Sequence, residues 1–396
     1  MRILLLSAYH AASHKQWADG LVKNLPEHDW TLLTLPPRHF SWRIRGNSLT
    51  WAFTKQEILA QPYDLILATS MVDLSALRGM SPALTKIPTI VYFHENQFYY
   101  PISDNKQSSD SKKSTNNSQV EAQLTSLYSA LCADAIVFNT RFNRDSFLDG
   151  SENLLKKLPD GIPPDIAQLL KEKSQVIPVP IDPELFTSNS SILSMNNSRF
   201  TIVWNHRWEY DKGPDRLLAA LKKIPSESAL TFHILGQSFR KQPIEFEEIK
   251  KLLIQNNWLG EWGYIEDREH YLKTLQESDA VLSTALHDFQ GISILEAVAT
   301  GCTPIVPDRL AYQELFTKEV FYTSYLEINN TNLLYTQKTN QEATALAEKI
   351  KQLSESKTLT KGEIKGNRKQ DIQHLSWNSM KEKYKDILEK ISAQEQ

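Results

Sequence analysis

The sequence predicts an α/β protein with two doubly wound domains, each a parallel β-sheet with helices on both faces. Short apolar runs alternate with helical patterns along most of the chain. The runs are almost continuously apolar, as strands covered on both faces require. With 396 residues and 41% hydrophobic content, the chain is also too long for one ordinary core.

The first domain is predicted over residues 1–185. Its five strand candidates are Arg2 to Tyr9, Asp29 to Leu35, Tyr63 to Ser70, Ile87 to His94 and Ala133 to Thr140. Residues 103–119 include no apolar residue, which predicts a solvated insertion between a strand and the next helix. A binding loop is the alternative interpretation of this stretch.

A polar linker at 186–198 leads to the second predicted domain, at 199–370. Its strand candidates are Phe200 to Asn205, Leu230 to Leu235, Ala280 to Ala285 and Thr303 to Val306. The terminal segment, 371–396, predicts a helix with one apolar stripe, formed by Trp377, Met380, Tyr384, Ile387 and Ile391. We expect that helix to pack back across the junction between the domains.

Composition narrows the class of protein. A net charge of -3 and a pI near 6.4 exclude a globally basic nucleic-acid binder, although a local basic patch stays open. Cys132 and Cys302 are far apart, which favours reduced thiols over a disulfide or a zinc site. No apolar run reaches the length of a signal peptide or membrane span, so we expect a soluble, cytoplasmic protein with no membrane partner.

Three common motifs of α/β enzymes are missing from the sequence. No GxGxxG follows a predicted strand, which argues against a dehydrogenase. No Walker A sequence and no GxSxG elbow occur either, so the kinase, NTPase and hydrolase classes lose their main support.

Arg207 and Lys212 lie in WNHRWEYDKG, directly after the strand that begins the second domain. Open α/β sheets bind ligands at the carboxyl ends of their strands, and a guanidinium with an ammonium stabilises the negative charge of a diphosphate. This pair therefore predicts a diphosphate site. Two ordinary surface cations in a loop are the alternative.

Asp288 and Glu296 bracket a glycine in HDFQGISILEAVATG, with seven residues between them. Glu296 lies on the apolar face of the predicted helix, where a carboxylate needs a partner; ribose hydroxyls would supply it, and a structural salt bridge is the alternative. Gly291 permits close approach of a ligand to the helix start, which attracts phosphate. Asp288 is then placed to accept hydrogen bonds from a sugar.

Two further segments carry candidate binding residues. His94 ends a strand and is followed by Glu95, Asn96 and Gln97, a density of polar side chains that suits carbohydrate recognition, unless it is a buried histidine with a polar loop. In residues 38–45, RHFSWRIR, arginines alternate with Phe40 and Trp42. That mixture holds phosphates while stacking bases, and a structural loop is the alternative.

The segments RWEYDKG and DFQGISILE resemble the R-x4-K-G and acid-x7-Glu elements of retaining GT-B glycosyltransferases, in which two Rossmann-like domains face each other across a cleft. VIPVPIDPELF resembles the hinge of that family. In the family the first acid is usually Glu, and here it is Asp288; a Phe commonly precedes the glycine, and here it is Gln290.

A narrower resemblance comes from SHKQWADGL, YFHENQFYYP, VFNTRFNRDSFL and WNHRWEYDKGP. These strings are similar to the tRNA-queuosine mannosyltransferases, which move mannose from GDP-mannose onto the queuosine of an aspartate tRNA. The resemblance implies retention of configuration. No metal ion or other cofactor is expected, because Arg207 and Lys212 would supply the positive charge that a metal otherwise provides. The absence of an Asp-x-Asp motif agrees with that expectation.

The resemblance also implies roles for single residues. Arg207 and Lys212 hold the diphosphate, and Glu296 holds the ribose. Asp288 contacts the hexose, and His94 acts near the transferring sugar. Ser13 and His14, after the first strand, face the donor phosphates.

Two other functions remain compatible with the sequence. One is a GT-B transferase with a lipid or polysaccharide acceptor, and the other is a non-catalytic protein that binds a sugar nucleotide or tRNA. The oligomeric state is left open.

Overall fold

The structure is a computed structural model that describes residues 1–99, 109–158, 161–163, 165–186, 199–239, 242–324, 335–359 and 371–393. For residues 109–118 and 356–359 it describes the helical backbone alone. The chain separates into two compact units, Met1–Pro180 with Trp377–Gln396 and Ile181–Ser376. Within the described residues, no helix is long and apolar enough to cross a membrane.

The first unit contains a six-stranded parallel sheet in the order β2-β1-β3-β4-β5-β6. The strands are β1 (Arg2–Ser7), β2 (Asp29–Thr34), β3 (Leu65–Thr69), β4 (Thr89–Phe93), β5 (Ala135–Phe138) and β6 (Ser174–Val176). Successive residues of β1 from Ile3 to Leu6 are all fully buried. Because successive side chains point to opposite faces, both faces of this sheet are covered.

Eight helices belong to the described part of the first unit. They are α1 (Ala12–Asn24), α2 (Phe40–Thr54), α3 (Gln56–Leu59), α4 (Leu74–Met80), α5 (Ser109–Cys132), α6 (Arg141–Leu155), α7 (Asp165–Glu172) and the C-terminal α14 (Trp377–Ser392). Of the predicted insertion, residues 103–108 lie outside the described residues. Residues 109–119 form the first turns of α5, so the helix begins within the predicted insertion rather than after it.

Helix α14 packs on the first unit, against α1, β3 and β4. All five residues of its predicted stripe are buried. The Tyr384 hydroxyl accepts a hydrogen bond from Trp17 Nε1 at 3.0 Å and donates to the Pro178 carbonyl at 3.1 Å. The last helix is therefore part of the first unit's core.

The second unit contains a six-stranded parallel sheet in the order β12-β11-β10-β7-β8-β9. Its strands are β7 (Phe200–Asn205), β8 (Leu230–Leu235), β9 (Leu259–Gly263), β10 (Ala280–Leu282), β11 (Thr303–Pro307) and β12 (Phe321–Tyr322). The helices are α8 (Pro214–Leu221), α9 (Glu245–Gln255), α10 (Arg268–Glu277), α11 (Ile292–Ala299), α12 (Tyr312–Leu315) and α13 (Tyr335–Leu359). Most of the predicted linker, residues 187–198, lies outside the described residues.

The nine predicted strands all form, but three more strands complete the sheets. These are β6, β9 and β12, and each lies at the edge of its sheet. β6 and β9 are only half-buried and β12 has two residues. Since an edge strand has one neighbour, it does not need the continuous apolar run by which the central strands are predicted.

Candidate active site

The second sheet has a topological switch point between β7 and β10. If β7 is counted as strand 1 and the sheet is read from the β9 edge, the strand order is 3-2-1-4-5-6. This is the doubly wound arrangement, in which the connections leave the two central strands in opposite directions. β7 and β10 are paired, with Ile202 opposite Ala280 and Trp204 opposite Leu282. The loops that follow them carry the candidate donor residues, at the edge where such sheets bind ligands.

Gly213 brings these two loops together. It has φ of +65°, and a Cβ at this position would lie 2.2 Å from the Thr284 carbonyl oxygen. The Thr284 hydroxyl donates to the Lys212 carbonyl at 2.8 Å, and the Lys212 ammonium donates to the His287 carbonyl at 2.7 Å. Only glycine permits both this left-handed conformation and this contact.

Lys212 is a buried cation with a buried counter-ion. Its Nζ lies 3.2 Å from Asp211 Oδ2, and the two side chains are 10% and 2% exposed. Burial alone lowers the pKa of Lys212, but the charges of Asp211 and Asp288 outweigh it and raise the pKa. The site therefore holds a charged ammonium at neutral pH.

Arg207 differs from Lys212 in its exposure. Its side chain is 47% exposed, and its guanidinium lies 3.1 Å from Glu209 Oε2. Of the two cations that the sequence predicts to act together, Lys212 is therefore buried and Arg207 is accessible. The accessible guanidinium can move to a ligand at a smaller cost in broken contacts.

Asp288 is held by two donors. Its Oδ1 accepts from the Gly291 backbone N–H at 2.8 Å, and its Oδ2 accepts from the Tyr312 hydroxyl at 3.1 Å. Burial alone raises its pKa, but Lys212 and His206 outweigh burial and lower the pKa. Asp288 is therefore a positioned, ionised carboxylate.

A hydrogen-bonded chain continues from Tyr312 through Ser283 to His206. The Ser283 hydroxyl lies 2.8 Å from the Tyr312 hydroxyl and 3.0 Å from His206 Nε2. Since the ionised Asp288 can only accept, Tyr312 donates to it and accepts from Ser283, and His206 Nε2 must then donate to Ser283. Burial and then the Lys212 charge lower the pKa of His206 to about 3, so the ring is neutral.

Glu296 lies on the buried face of α11, as its spacing predicts. Its side chain is 8% exposed and lies 3.6 Å from the Arg268 guanidinium. The Tyr271 hydroxyl donates to Glu296 Oε2 at 2.9 Å and accepts from Asn205 Nδ2 at 2.7 Å. The fold thus supplies a phenol and a guanidinium for this carboxylate, which matches the ion-pair alternative; a ribose contact stays a prediction.

His14 and His94 come together in the first unit. Their ring centroids are 4.2 Å apart, and the His94 ring also contacts the rings of Trp17 and Tyr92. Burial and the neighbouring His14 hold the pKa of His94 well below its ordinary value. His94 Nε2 is buried and makes no hydrogen bond within the described part of the chain, so a neutral imidazole with an unused nitrogen stands at the end of β4.

The polar residues around this histidine pair have different uses. Ser13 Oγ lies 3.5 Å from His14 Nδ1. Asn96 Nδ2 donates to Ser146 Oγ at 2.9 Å and to Asn143 Oδ1 at 2.9 Å, while its Oδ1 accepts from the Phe98 N–H at 2.9 Å. Asn96 therefore fixes the loop after β4 to α6. These hydrogen bonds give Asn96 a structural role, and its recognition of a sugar stays a prediction.

The basic segment 38–45 is the start of a helix rather than a structural loop, because α2 begins at Phe40. Arg43 is buried, with 8% of its surface exposed. Arg45 lies 2.9 Å from Asp73 Oδ2 and 3.5 Å from Glu121 Oε1. Helical spacing thus turns Arg43 inward, whereas the Arg45 side chain is 47% exposed and is paired with acids. Contact of this segment with RNA stays a prediction.

Cys132 and Cys302 are free thiols. Over the part of the chain that the structure describes, no group of three or more His, Cys, Asp or Glu side chains could hold a metal ion.

Comparison with known families decides the class of the protein. Residues 2–181 match the family described as tRNA-queuosine alpha-mannosyltransferase N-terminal, and residues 187–370 match glycosyl transferases group 1. The tRNA-queuosine alpha-mannosyltransferase of Drosophila melanogaster is 34% identical over 330 residues, covering 81% of this chain and 83% of that protein. The chain belongs to the tRNA-queuosine alpha-mannosyltransferase family. Both resemblances inferred from the short motifs are thereby confirmed.

Solved structures of glycosyltransferases have the same fold. Sucrose-phosphate synthase from Thermosynechococcus elongatus has a TM-score of 0.69 at 14% identity, with 99% of each chain covered. A glycosyltransferase from Rickettsia africae has a TM-score of 0.65 at 17% identity, again with 99% of each chain covered. Alr3699/HepE from Anabaena, in complex with UDP and glucose, has a TM-score of 0.58 at 16% identity, covering 98% of this chain and 100% of that one. At such identities the likeness shows the fold alone, and it confirms the predicted GT-B class.

Proposed function

We propose that this enzyme transfers mannose from GDP-mannose to the queuosine of tRNA(Asp), with retention of configuration and without a metal ion or other cofactor. The proposal rests on family membership together with one feature of the second unit. The buried, charged Lys212, the accessible Arg207 and the start of α11 all lie on the loops that follow β7 and β10. A nucleoside diphosphate leaving group requires such a set of donors.

In the proposed reaction the glycosidic bond from mannose to the diphosphate breaks, and the bond from mannose to an acceptor hydroxyl forms on the same face. Lys212 and Arg207 stabilise the charge that develops on the diphosphate. Asp288 already accepts the Gly291 N–H, so the next N–H groups of α11, those of Ile292 and Ser293, are the candidate phosphate donors. The acceptor hydroxyl gives its proton to a leaving oxygen.

The remaining roles are part of the same proposal. Glu296 accepts the ribose hydroxyls, with Tyr271 and Arg268 keeping the carboxylate in place. Asp288 contacts the hexose. In the first unit, His94 acts near the transferring sugar through its unused Nε2, and Ser13 and His14 contact the donor phosphates.

The test is incubation of the purified protein with GDP-mannose and queuosine-containing tRNA(Asp), followed by mass analysis of the nucleosides for one added hexose. We expect the product in the presence of EDTA, and its loss in Lys212→Met and Glu296→Gln. The control is Lys222→Met, which removes an exposed lysine that lies 3.0 Å from Glu248. Binding of GDP-mannose without modified queuosine would contradict the acceptor, and a strong loss of rate with EDTA would contradict the metal-free mechanism.

A further inference from the structure

Helix α2 presents an apolar stripe to solvent. Trp42, Leu49 and Phe53 are 56%, 47% and 66% exposed, and their spacings of seven and four residues place them on one face of the helix. Trp51 and Ala52 on the other side are buried. The helix is therefore apolar on both sides, and the fold covers only one of them, a condition that marks interaction surfaces.

Gly46 shapes this stripe by letting the Trp42 ring lie against the helix. A Cβ at Gly46 would lie 2.3 Å from Trp42 Cε2, so the indole covers the glycine backbone. Gly46 is buried although it faces the exposed side. Glycine inside a helix costs about 0.5–1 kcal/mol relative to alanine, and here its missing side chain leaves room for the Trp42 indole, while 56% of that residue stays exposed. A ring held in this way loses little freedom when a planar group stacks on it.

The charge around the stripe favours an anionic partner. Residues 30–56 contain no Asp or Glu, although the chain has 47 acidic residues. Arg38 and Lys55, at the two ends of α2, are both exposed. Since Arg43 is buried and Arg45 is paired with Asp73, these end residues are the cations best placed to contact phosphates.

We propose that Trp42, Leu49 and Phe53 form a platform on which unpaired bases of the acceptor tRNA stack, with Arg38 and Lys55 contacting its phosphates. The proposal rests on the proposed function, whose acceptor is a tRNA. From Trp42 to Phe53 the stripe spans roughly 16 Å at the rise of an α-helix, enough for a few nucleotides. The half-exposed indole of Trp42 offers a surface on which a base can stack, and the proposed acceptor is an RNA.

The first experiment measures the affinity of queuosine-containing tRNA(Asp) for Trp42→Ala, Phe53→Ala and the double variant, with the KM for GDP-mannose in parallel. Aromatic stacking contributes enough per base that each single change should weaken tRNA binding by about tenfold. The KM for GDP-mannose should stay the same, and Trp42→Phe should retain most of the affinity. Tyr264→Ala is the matched control, because Tyr264 is an equally exposed aromatic residue of the second unit, at 67%.

Gly46→Ala separates the position of the Trp42 ring from its presence. The added methyl would displace the indole, so tRNA affinity should fall as in Trp42→Ala, while helix stability rises or stays the same. Salt dependence separates the two kinds of contact. Arg38→Ala should reduce the slope of log affinity against log salt by about one, and Trp42→Ala should leave that slope unchanged.

Failure of this proposal and failure of the proposed function give different results. If the wild type modifies queuosine and the double variant binds tRNA as tightly as the wild type, the platform is wrong. If the wild type does not modify queuosine, direct tRNA binding by the same variants still tests the platform.

Two other outcomes would assign the stripe to a different partner. Binding to vesicles of phosphatidylcholine and phosphatidylserine that disappears in the double variant, with tRNA affinity unchanged, would assign the stripe to a membrane surface instead. Concentration-dependent self-association lost in the double variant, with tRNA affinity unchanged, would assign it to a second copy of the chain.

Discussion

Replacing Tyr312 with Phe should slow sugar transfer without unfolding the enzyme, because Tyr312 positions a group that we place at the hexose. Its hydroxyl donates to Asp288 at 3.1 Å and lies 2.8 Å from the Ser283 hydroxyl. Phenylalanine keeps the ring that packs beside Phe316 and removes only the hydroxyl. The change therefore leaves the Asp288 carboxylate to be held by the Gly291 backbone N–H, at 2.8 Å.

The size of the effect follows from the kind of bond that is lost. A hydrogen bond to an ionised group contributes about 1.5–3 kcal/mol, and one between neutral groups about 0.5–1.5 kcal/mol. About 1.4 kcal/mol corresponds to a tenfold change in rate or affinity. If Asp288 must keep its orientation in the transition state, Tyr312→Phe should lower kcat/KM by roughly ten- to a hundredfold.

The assay is steady-state transfer to queuosine-containing tRNA, with thermal unfolding of each variant in parallel. Tyr322→Phe is the matched control, since Tyr322 is equally buried and donates at 2.9 Å to the backbone carbonyl of Ser283. The control should lose about 1 kcal/mol of stability and little turnover. If Tyr312→Phe lowers stability but leaves kcat and KM as in the control, Tyr312 does not position Asp288 for the reaction.

Two further predictions concern stability. Burial, and then the Lys212 charge, lower the pKa of His287 from 6.5 to about 4. Between these pH values the unfolded chain binds a proton at His287 and the folded chain does not. The free energy of unfolding should therefore fall by about 3 kcal/mol as the pH drops from 6.5 to 4. Urea unfolding across this range should show a smaller pH dependence in His287→Gln than in the wild type, and an equal pH dependence in the two proteins would contradict this reading of His287. Gly213→Ala should destabilise the protein by several kcal/mol, because φ at this position is +65° and the Cβ would lie 2.2 Å from the Thr284 carbonyl oxygen. Gly79→Ala is the control and should have no such effect, because nothing lies within 4 Å of its Cβ. Equal melting temperatures for the two variants would contradict this explanation of Gly213.

The central strands could be predicted from the sequence because strands that are buried on both faces consist of short, continuous apolar runs. β7 and β8 begin and end at the predicted residues. β9 could not be found in this way, because all five of its residues are half-buried and three of them are Gly260, Glu261 and Gly263. Its identity as a strand depends on hydrogen bonds to β8, which is distant along the chain.

The candidate donor site also contains residues that the sequence predicts and residues that only the structure identifies. The sequence by itself determined that Lys212, Asp288, Gly291 and Glu296 belong to loops at strand ends and to one helix face, because spacing and glycine placement are local properties. Their partners Tyr312, Ser283 and Tyr271 carry no such spacing. They reach the site only through the folding of other segments.

The surface of α2 shows what tertiary structure alone decided. The alternation of arginine and aromatic residues in segment 38–45 marked a region of interest, but the sequence could not say which side chains face solvent. Arg43 is buried and Arg45 lies against Asp73, whereas Trp42 is exposed on the same helix face as Phe53. Exposure and pairing depend on which distant segments cover a helix, so local pattern indicates the helix and only the packed unit determines its open face.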